Sequence, residues 1–163
     1  MAGELTLTLN ERDYAFVQRQ LSKLTVLEQD AVVRKGLSEG VGIIKKQGKT
    51  NYKNTLSTDP HNVKMRQYMA KKRGGSLLNS FGTKVNKKQG KGYAGFSKYG
   101  HHAHLVDSGT VNRFAYTLNN APRGRVQGSK FWRSAFEAKK NEAAQTLMDS
   151  ITISINRILN RNR

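Results

Sequence analysis

The feature that most constrains this chain is an apolar stripe near its C-terminus: Ala144, Leu147, Met148, Ile151, Ile155, Ile158 and Leu159 recur at spacings of three and four. Such spacing puts all seven on one side of an α-helix, because a turn takes about 3.6 residues. Phe131-Trp132-Arg133-Ser134-Ala135-Phe136 gives the helix an aromatic entry, so a helix is predicted from 131 to about 160. A stripe this long must lie against another element, and a β-sheet is the expected cover. A second stripe, Val33, Leu37, Val41 and Ile44, predicts a helix over about 28–46. Gly36, Gly40 and Gly42 weaken it by about 1 kcal/mol each relative to alanine. Three glycines in one helix imply close packing against a neighbour. Lys45 and Lys46 suit its last turn and Gly48 its end.

Around these helices the periodicity changes. Leu5-Thr6-Leu7-Thr8-Leu9 alternates and predicts a strand. Asn10 suits a helix N-cap, with Glu11 and Asp13 in a first turn and Tyr14, Val17, Leu21 and Leu24 at helical spacing, which predicts a helix over about 11–23. Asp59-Pro60 opens a short helix that ends in Lys71-Lys72-Arg73 before Gly74-Gly75. Residues 77–85 alternate again, with Leu77, Phe81 and Val85 on one face and Ser80, Gly82 and Lys84 on the other. A turn over 88–92 and a strand over 93–99 complete a basic hairpin at about 77–99. Phe114, Tyr116 and Leu118 predict a further strand, and 119–128 is a polar loop. The expectation is therefore one α+β domain over 1–163. A small antiparallel sheet of about four strands is packed by a long N-terminal and a long C-terminal helix, with extended basic loops.

Charge narrows the possible partners. Twenty-nine Lys and Arg oppose eleven Asp and Glu, a net of +18. Residues 40–100 hold fourteen of the bases and a single acid, Asp59. A block of this kind faces phosphate or another polyanion. Hydrophobic content of 36% is low for a compact globule, so a basic arm at about 48–75 is expected to order against a partner. The chain has no cysteine. No secretion signal is expected at Met1-Ala2-Gly3-Glu4, and no apolar run reaches the length of a membrane span.

Motifs for chemistry are weak. Asp59 and Asp107 are the only acids between Glu39 and Glu137, too few for paired-carboxylate or two-metal catalysis. His101, His102 and His104 lack the spacing of a zinc site, so no metal is expected. Gly90-Lys91-Gly92-Tyr93-Ala94-Gly95 matches a dinucleotide fingerprint in letters, but strands flank it on both sides, and no cofactor is expected. Phe81, Tyr93, Phe96 and Tyr99 interleave with lysines, as in single-strand binders, although alternation already explains them as the inner face of a sheet. The chain is therefore expected not to be an enzyme.

One tight turn stands out. In Leu105-Val106-Asp107-Ser108-Gly109-Thr110 an apolar pair runs into polar residues, with Arg113 just beyond. The segment is expected to be a loop in which Asp107 folds back onto the amides of Gly109 and Thr110, with Gly109 at positive φ. Arg113 is placed to pair with Asp107 or with a neighbouring chain.

Four features in order now carry a resemblance: the N-terminal helical region, Gly75-Ser76-Leu77-Leu78-Asn79-Ser80, Leu105 to Thr110 with Arg113 behind it, and Lys130 to Phe136. The chain resembles the tail-completion, or head–tail connector, family of tailed bacteriophages over most of 28–160. Many members carry a glutamate and an aromatic residue before the Gly-Thr pair, where this chain has Asp107 and Ser108. The resemblance implies a ring, typically sixfold, in the virion neck, assembled in the host bacterial cytoplasm around the DNA path. It would join connector proteins to tail-tube or terminator proteins. It implies that Asp107, Gly109, Thr110 and Arg113 form a subunit-contact turn. Lys71, Lys72, Arg73, Lys84, Lys87, Lys88, Lys91, Arg123 and Arg125 become candidates to face the DNA channel or a partner. A tail-terminator protein of the same fold and a free basic nucleic-acid-binding protein are the alternatives.

Overall fold

The computed structural model describes residues 5–7, 11–57, 77–86, 89–115, 121–122 and 124–161. In chain order the elements are β1 (Leu5–Leu7), α1 (Glu11–Leu21), α2 (Val26–Ser57), β2 (Phe81–Asn86), β3 (Lys91–Phe96), α3 (Ala103–Ser108), β4 (Phe114–Ala115), β5 (Ala121–Pro122) and α4 (Phe131–Arg161). Single 3-10 turns at Leu77–Asn79 and Lys98–Gly100 bracket the β2–β3 hairpin. The predicted helix at 59–73, Asn10, Tyr116 and Leu118 lie outside the described residues.

The fold is α+β, with two long helices on a small antiparallel sheet. Three strands, not four, pair among the described residues, in the order β1-β3-β2. Phe81 sits opposite Phe96 and Asn86 opposite Lys91. The predicted strand at 114–118 stays outside this sheet, because β4 pairs only with β5. The hairpin strands are also shorter than alternation implied. Leu77 is buried in a 3-10 turn, and the Ser80 hydroxyl donates to Leu77 O at 2.7 Å, so Ser80 points inward and not outward.

Helix α2 is the axis of the subunit. It starts two residues before the expected position because Thr25 and Glu28 form a capping box. The Thr25 N–H and hydroxyl both donate to Glu28 Oε2, at 3.0 and 2.8 Å. It then runs through Gly48 to Ser57, so the expected stop at Gly48 is corrected and residues 48–57 of the expected basic arm belong to the helix. Lys45 and Lys46 accordingly lie in mid-helix, not in a last turn.

The C-terminal helix α4 packs chiefly on α2. It also packs on the sheet, as its stripe suggested, through β1 and, at its first turn, the aromatics of β2 and β3. The two helices are antiparallel. Arg161 Nη2 lies 4.0 Å from Glu28 Oε1 at one end, and Asn51 Nδ2 donates to Phe131 O at 3.1 Å at the other. Val32, Leu37, Val41 and Ile44 of α2 and Ala143, Leu147, Ile151 and Ile155 of α4 belong to one buried core. The sheet packs on α2 as well, with β2 and β3 both in contact with it. Tyr52, Phe81, Phe96, Phe131 and Trp132 close the core at one end, with ring centroids 4.8–6.1 Å apart. Phe81 and Phe96 are therefore interior groups, not a stacking platform for bases.

The glycines of α2 have different causes. A Cβ at Gly36 would stand 2.7 Å from Ile151 Cγ1, and one at Gly48 would stand 2.5 Å from the Trp132 ring. Both are required by the approach of α4. A Cβ at Gly42 would meet nothing within 4 Å. Gly42→Ala is therefore expected to raise stability by about 0.5–1 kcal/mol through helix propensity alone. Urea titration of the two proteins checks this, and a loss of stability would refute it.

Candidate functional site

The segment singled out by sequence is the first half of a clasp. Residues 103–108 form a short helix, not a loop. Asp107 does not fold onto Gly109 and Thr110. Its Oδ1 accepts the Trp132 N–H at 2.6 Å, so it caps the first turn of α4 from a distant part of the chain. That turn has orphan N–H groups and the positive end of the helix dipole, and a carboxylate satisfies both. The Gly109 N–H donates instead to Leu105 O at 3.0 Å and closes α3, while the Thr110 N–H donates to Val126 O at 2.9 Å.

The second half of the clasp is the strap 124–130. The Thr110 hydroxyl accepts the Val126 N–H at 2.9 Å, and Gly109 bridges to Gln127. The Ser129 and Lys130 N–H groups donate to Val106 O and Asp107 O at 3.0 and 2.8 Å. Contact is backbone on backbone. A Cβ on Gly109 would lie 2.7 Å from Gly128 N, and one on Gly128 would lie 2.5 Å from Ser108 C. Gly109 has φ 83° and ψ −176°, a region that is essentially glycine's own. The expected positive φ is thus present, but it serves the strap and not an Asx turn. Ser108 to Val111 and Arg125 to Gly128 line a shallow cleft of about 420 Å³ at the mouth of the clasp.

Of the two partners expected for Arg113, Asp107 or a neighbouring chain, Asp107 is not the one it takes within the subunit. No ion pair joins it to Asp107 among the described residues. Its N–H donates to Gly124 O at 3.0 Å, and the residue is exposed. Exposed apolar residues flank it, Val111 at 84% and Phe114 at 54% relative accessibility. Arg113 is thus the outward-facing member of the predicted turn, and Asp107, Gly109 and Thr110 hold the subunit together from within.

Lys84 on β2 and Lys91 at the start of β3 are exposed and lie diagonally across the hairpin on one face, since Lys91 sits opposite Asn86, while Arg125 is exposed in the strap. Lys71, Lys72, Arg73, Lys87, Lys88 and Arg123 lie outside the described residues. Sequence reading missed a more coherent group. Lys45, Lys46, Lys49 and Lys53 lie within one arc of α2, Lys46 and Lys53 exposed and Lys45 and Lys49 half-buried. Their spacing of three and four was visible, but an expected helix end at Gly48 divided them.

The histidines are engaged locally. Nδ1 of His101 and of His104 face Lys98 O and His101 O at 3.1 and 2.8 Å, so each must carry its proton there. Among the described residues, no three His, Asp or Glu side chains gather closely enough to hold a metal ion. No helix among them is long and apolar enough to cross a membrane. No protein-family model, curated protein or solved structure matches the chain.

Proposed function

We propose that this chain is a non-enzymatic structural subunit of the neck of a tailed bacteriophage. It is a tail-completion component whose ring joins the head connector to the tail tube or its terminator around the DNA path. The clasp is the observation that supports this reading. The resemblance rests on short segments far apart in sequence, and two of them, 105–110 and 130–136, meet through Asp107 and the Trp132 N–H. A third, 75–80, ends at Leu77 and Ser80, both buried beside the same aromatic core. Chance matches have no reason to converge in this way.

The ring contact falls to the surface that the clasp presents. Val111 and Phe114 are more than half exposed and flank the exposed Arg113. Burying an apolar side chain of this size contributes about 1.5–3 kcal/mol, so two such residues repeated at every interface favour closure of a ring. Assembly would take place in the host bacterial cytoplasm and the product would reside in the virion.

Mass-resolved sizing tests the reading. A closed ring of about six copies is expected, and the double variant Val111→Asp, Phe114→Asp is expected to give monomers with an unchanged melting temperature. A wild-type chain that stays monomeric at every concentration counts against it. That outcome would favour a second reading, a free nucleic-acid-binding protein, which the lysines of α2 support.

A further inference from the structure

We infer that the solvent face of the C-terminal half of α2, carrying Lys45, Lys46, Lys49 and Lys53, is the surface that grips the phosphate backbone of duplex DNA. The inference deepens the neck reading by naming its DNA-facing element, and it rests on that reading for the duplex being the packaged genome.

The first argument is electrostatic. Acids on α2 end at Glu39, whose Oε1 lies 3.9 Å from Lys35 Nζ, and no acid follows on the helix. Lys46 and Lys53 are exposed, and Lys45 and Lys49 are half-buried with stems along the helix surface. On α4 the opposite condition holds, because Glu137 pairs with Lys140 and Glu142 with Lys139. Among the described residues, the positive charge of α4 is thus largely answered by ion pairs, and that of the second half of α2 is not. Asn51 ties this region to the start of α4, where Lys130 and Arg133 are also exposed.

The second argument is what this face lacks. Between Lys45 and Lys53 its other member is Thr50, with Gly42 one turn before Lys46, and no aromatic or aliphatic side chain is among them. A protein interface needs an apolar centre, and a membrane-surface helix needs an apolar side to insert. A phosphate backbone needs neither, since its contacts are polar and charge-driven. Lys45, Lys49 and Lys53 span about 12 Å of helix. One strand of a duplex presents roughly three or four phosphates over that length. Gly42 has no side chain, and a Cβ there would meet nothing within 4 Å among the described residues, so the helix is flat next to Lys45 and Lys46.

The probe is a fluorescein-labelled mixed-sequence DNA duplex of 24 base pairs, read by anisotropy at 50, 100 and 200 mM salt. The helix variant replaces Lys45, Lys46, Lys49 and Lys53 with Gln. A control removes the same charge through Arg12, Arg19, Lys23 and Arg157→Gln, all exposed. The helix variant is expected to lose about 100-fold in affinity at 100 mM salt, and its log–log salt slope should fall by about 3 to 4. The control should stay within about threefold. Equal losses in both variants would overturn the inference, as would a wild-type chain that does not bind at 50 mM. Competition by polyglutamate as effective as unlabelled duplex would also overturn it, in favour of an acidic protein partner. Should the quadruple variant fail to fold, the exposed pair Lys46→Gln, Lys53→Gln still decides, with an expected slope change of about 2. Sizing of the same samples separates the two readings. Rings that ignore DNA sink only this inference, and monomers that bind through α2 sink only the ring.

Discussion

Trp132→Ala is expected to cost about 3–5 kcal/mol, the usual range for emptying a buried aromatic site. At roughly 2–4 °C per kcal/mol for a chain of this size, the melting temperature should fall by about 6–20 °C. Trp132 is 3% exposed and packs on Phe81 and Phe96, with ring centroids 5.8 and 5.1 Å away. The same ring covers Gly48, where a Cβ would stand 2.5 Å from Cε3. Gly48→Ala alone should therefore destabilise by about 1–3 kcal/mol through overpacking. In the Trp132→Ala background the obstacle is gone, and alanine should then stabilise α2 by up to about 1 kcal/mol through propensity. A double-mutant cycle by urea unfolding should give a coupling of at least about 2 kcal/mol. Additive effects would mean that the ring does not dictate glycine at 48.

That coupling explains what the sequence concealed. Helices α2 and α4, the β2–β3 hairpin and the aromatic interior were legible because each rests on local periodicity. The end of α2 was misread because a glycine near lysines has the local signature of a C-terminus. Its real cause, an indole from the far end of the chain, leaves no trace near residue 48. The start of α2 was legible but unread, since Thr25-x-x-Glu28 is a capping box in plain letters. The stripe of α4 left α2 unnamed beside the sheet, because an apolar stripe states how much must be covered and not all that covers it. Asp107 followed the same pattern. Sequence offers an aspartate only its near neighbours, and the N–H that it accepts belongs to Trp132. The basic face of α2 stayed hidden for as long as the helix was thought to stop at 48.

The clasp supplies the second large effect. Gly109→Ala should cost more than a methyl added at Gly36, Gly48 or Gly128, because two penalties fall on one residue. Its φ of 83° with ψ −176° costs a side-chain-bearing residue about 1–3 kcal/mol. The new Cβ would also lie 2.7 Å from Gly128 N and 2.8 Å from Val126 O, backbone atoms that cannot rotate away, at about 1–3 kcal/mol more. Gly128→Ala carries only the steric penalty, with Ser108 C, Ser108 O and Asp107 O at 2.5–2.8 Å, and should cost about 1–3 kcal/mol. Asp107→Ala leaves the backbone free and removes only the cap of α4, for about 1–2 kcal/mol, whereas Asp107→Asn keeps an oxygen acceptor and should retain most of it. Thermal melts should therefore rank Gly109→Ala as the most damaging. Hydrogen exchange at the Trp132 amide should accelerate in Asp107→Ala and change little in Asp107→Asn. Were Asp107 instead a contact between subunits, its loss would disperse rings while the Trp132 amide and the melt of the separated subunit stayed as they are. That pattern would remove the clasp from the fold and return the turn to the interface.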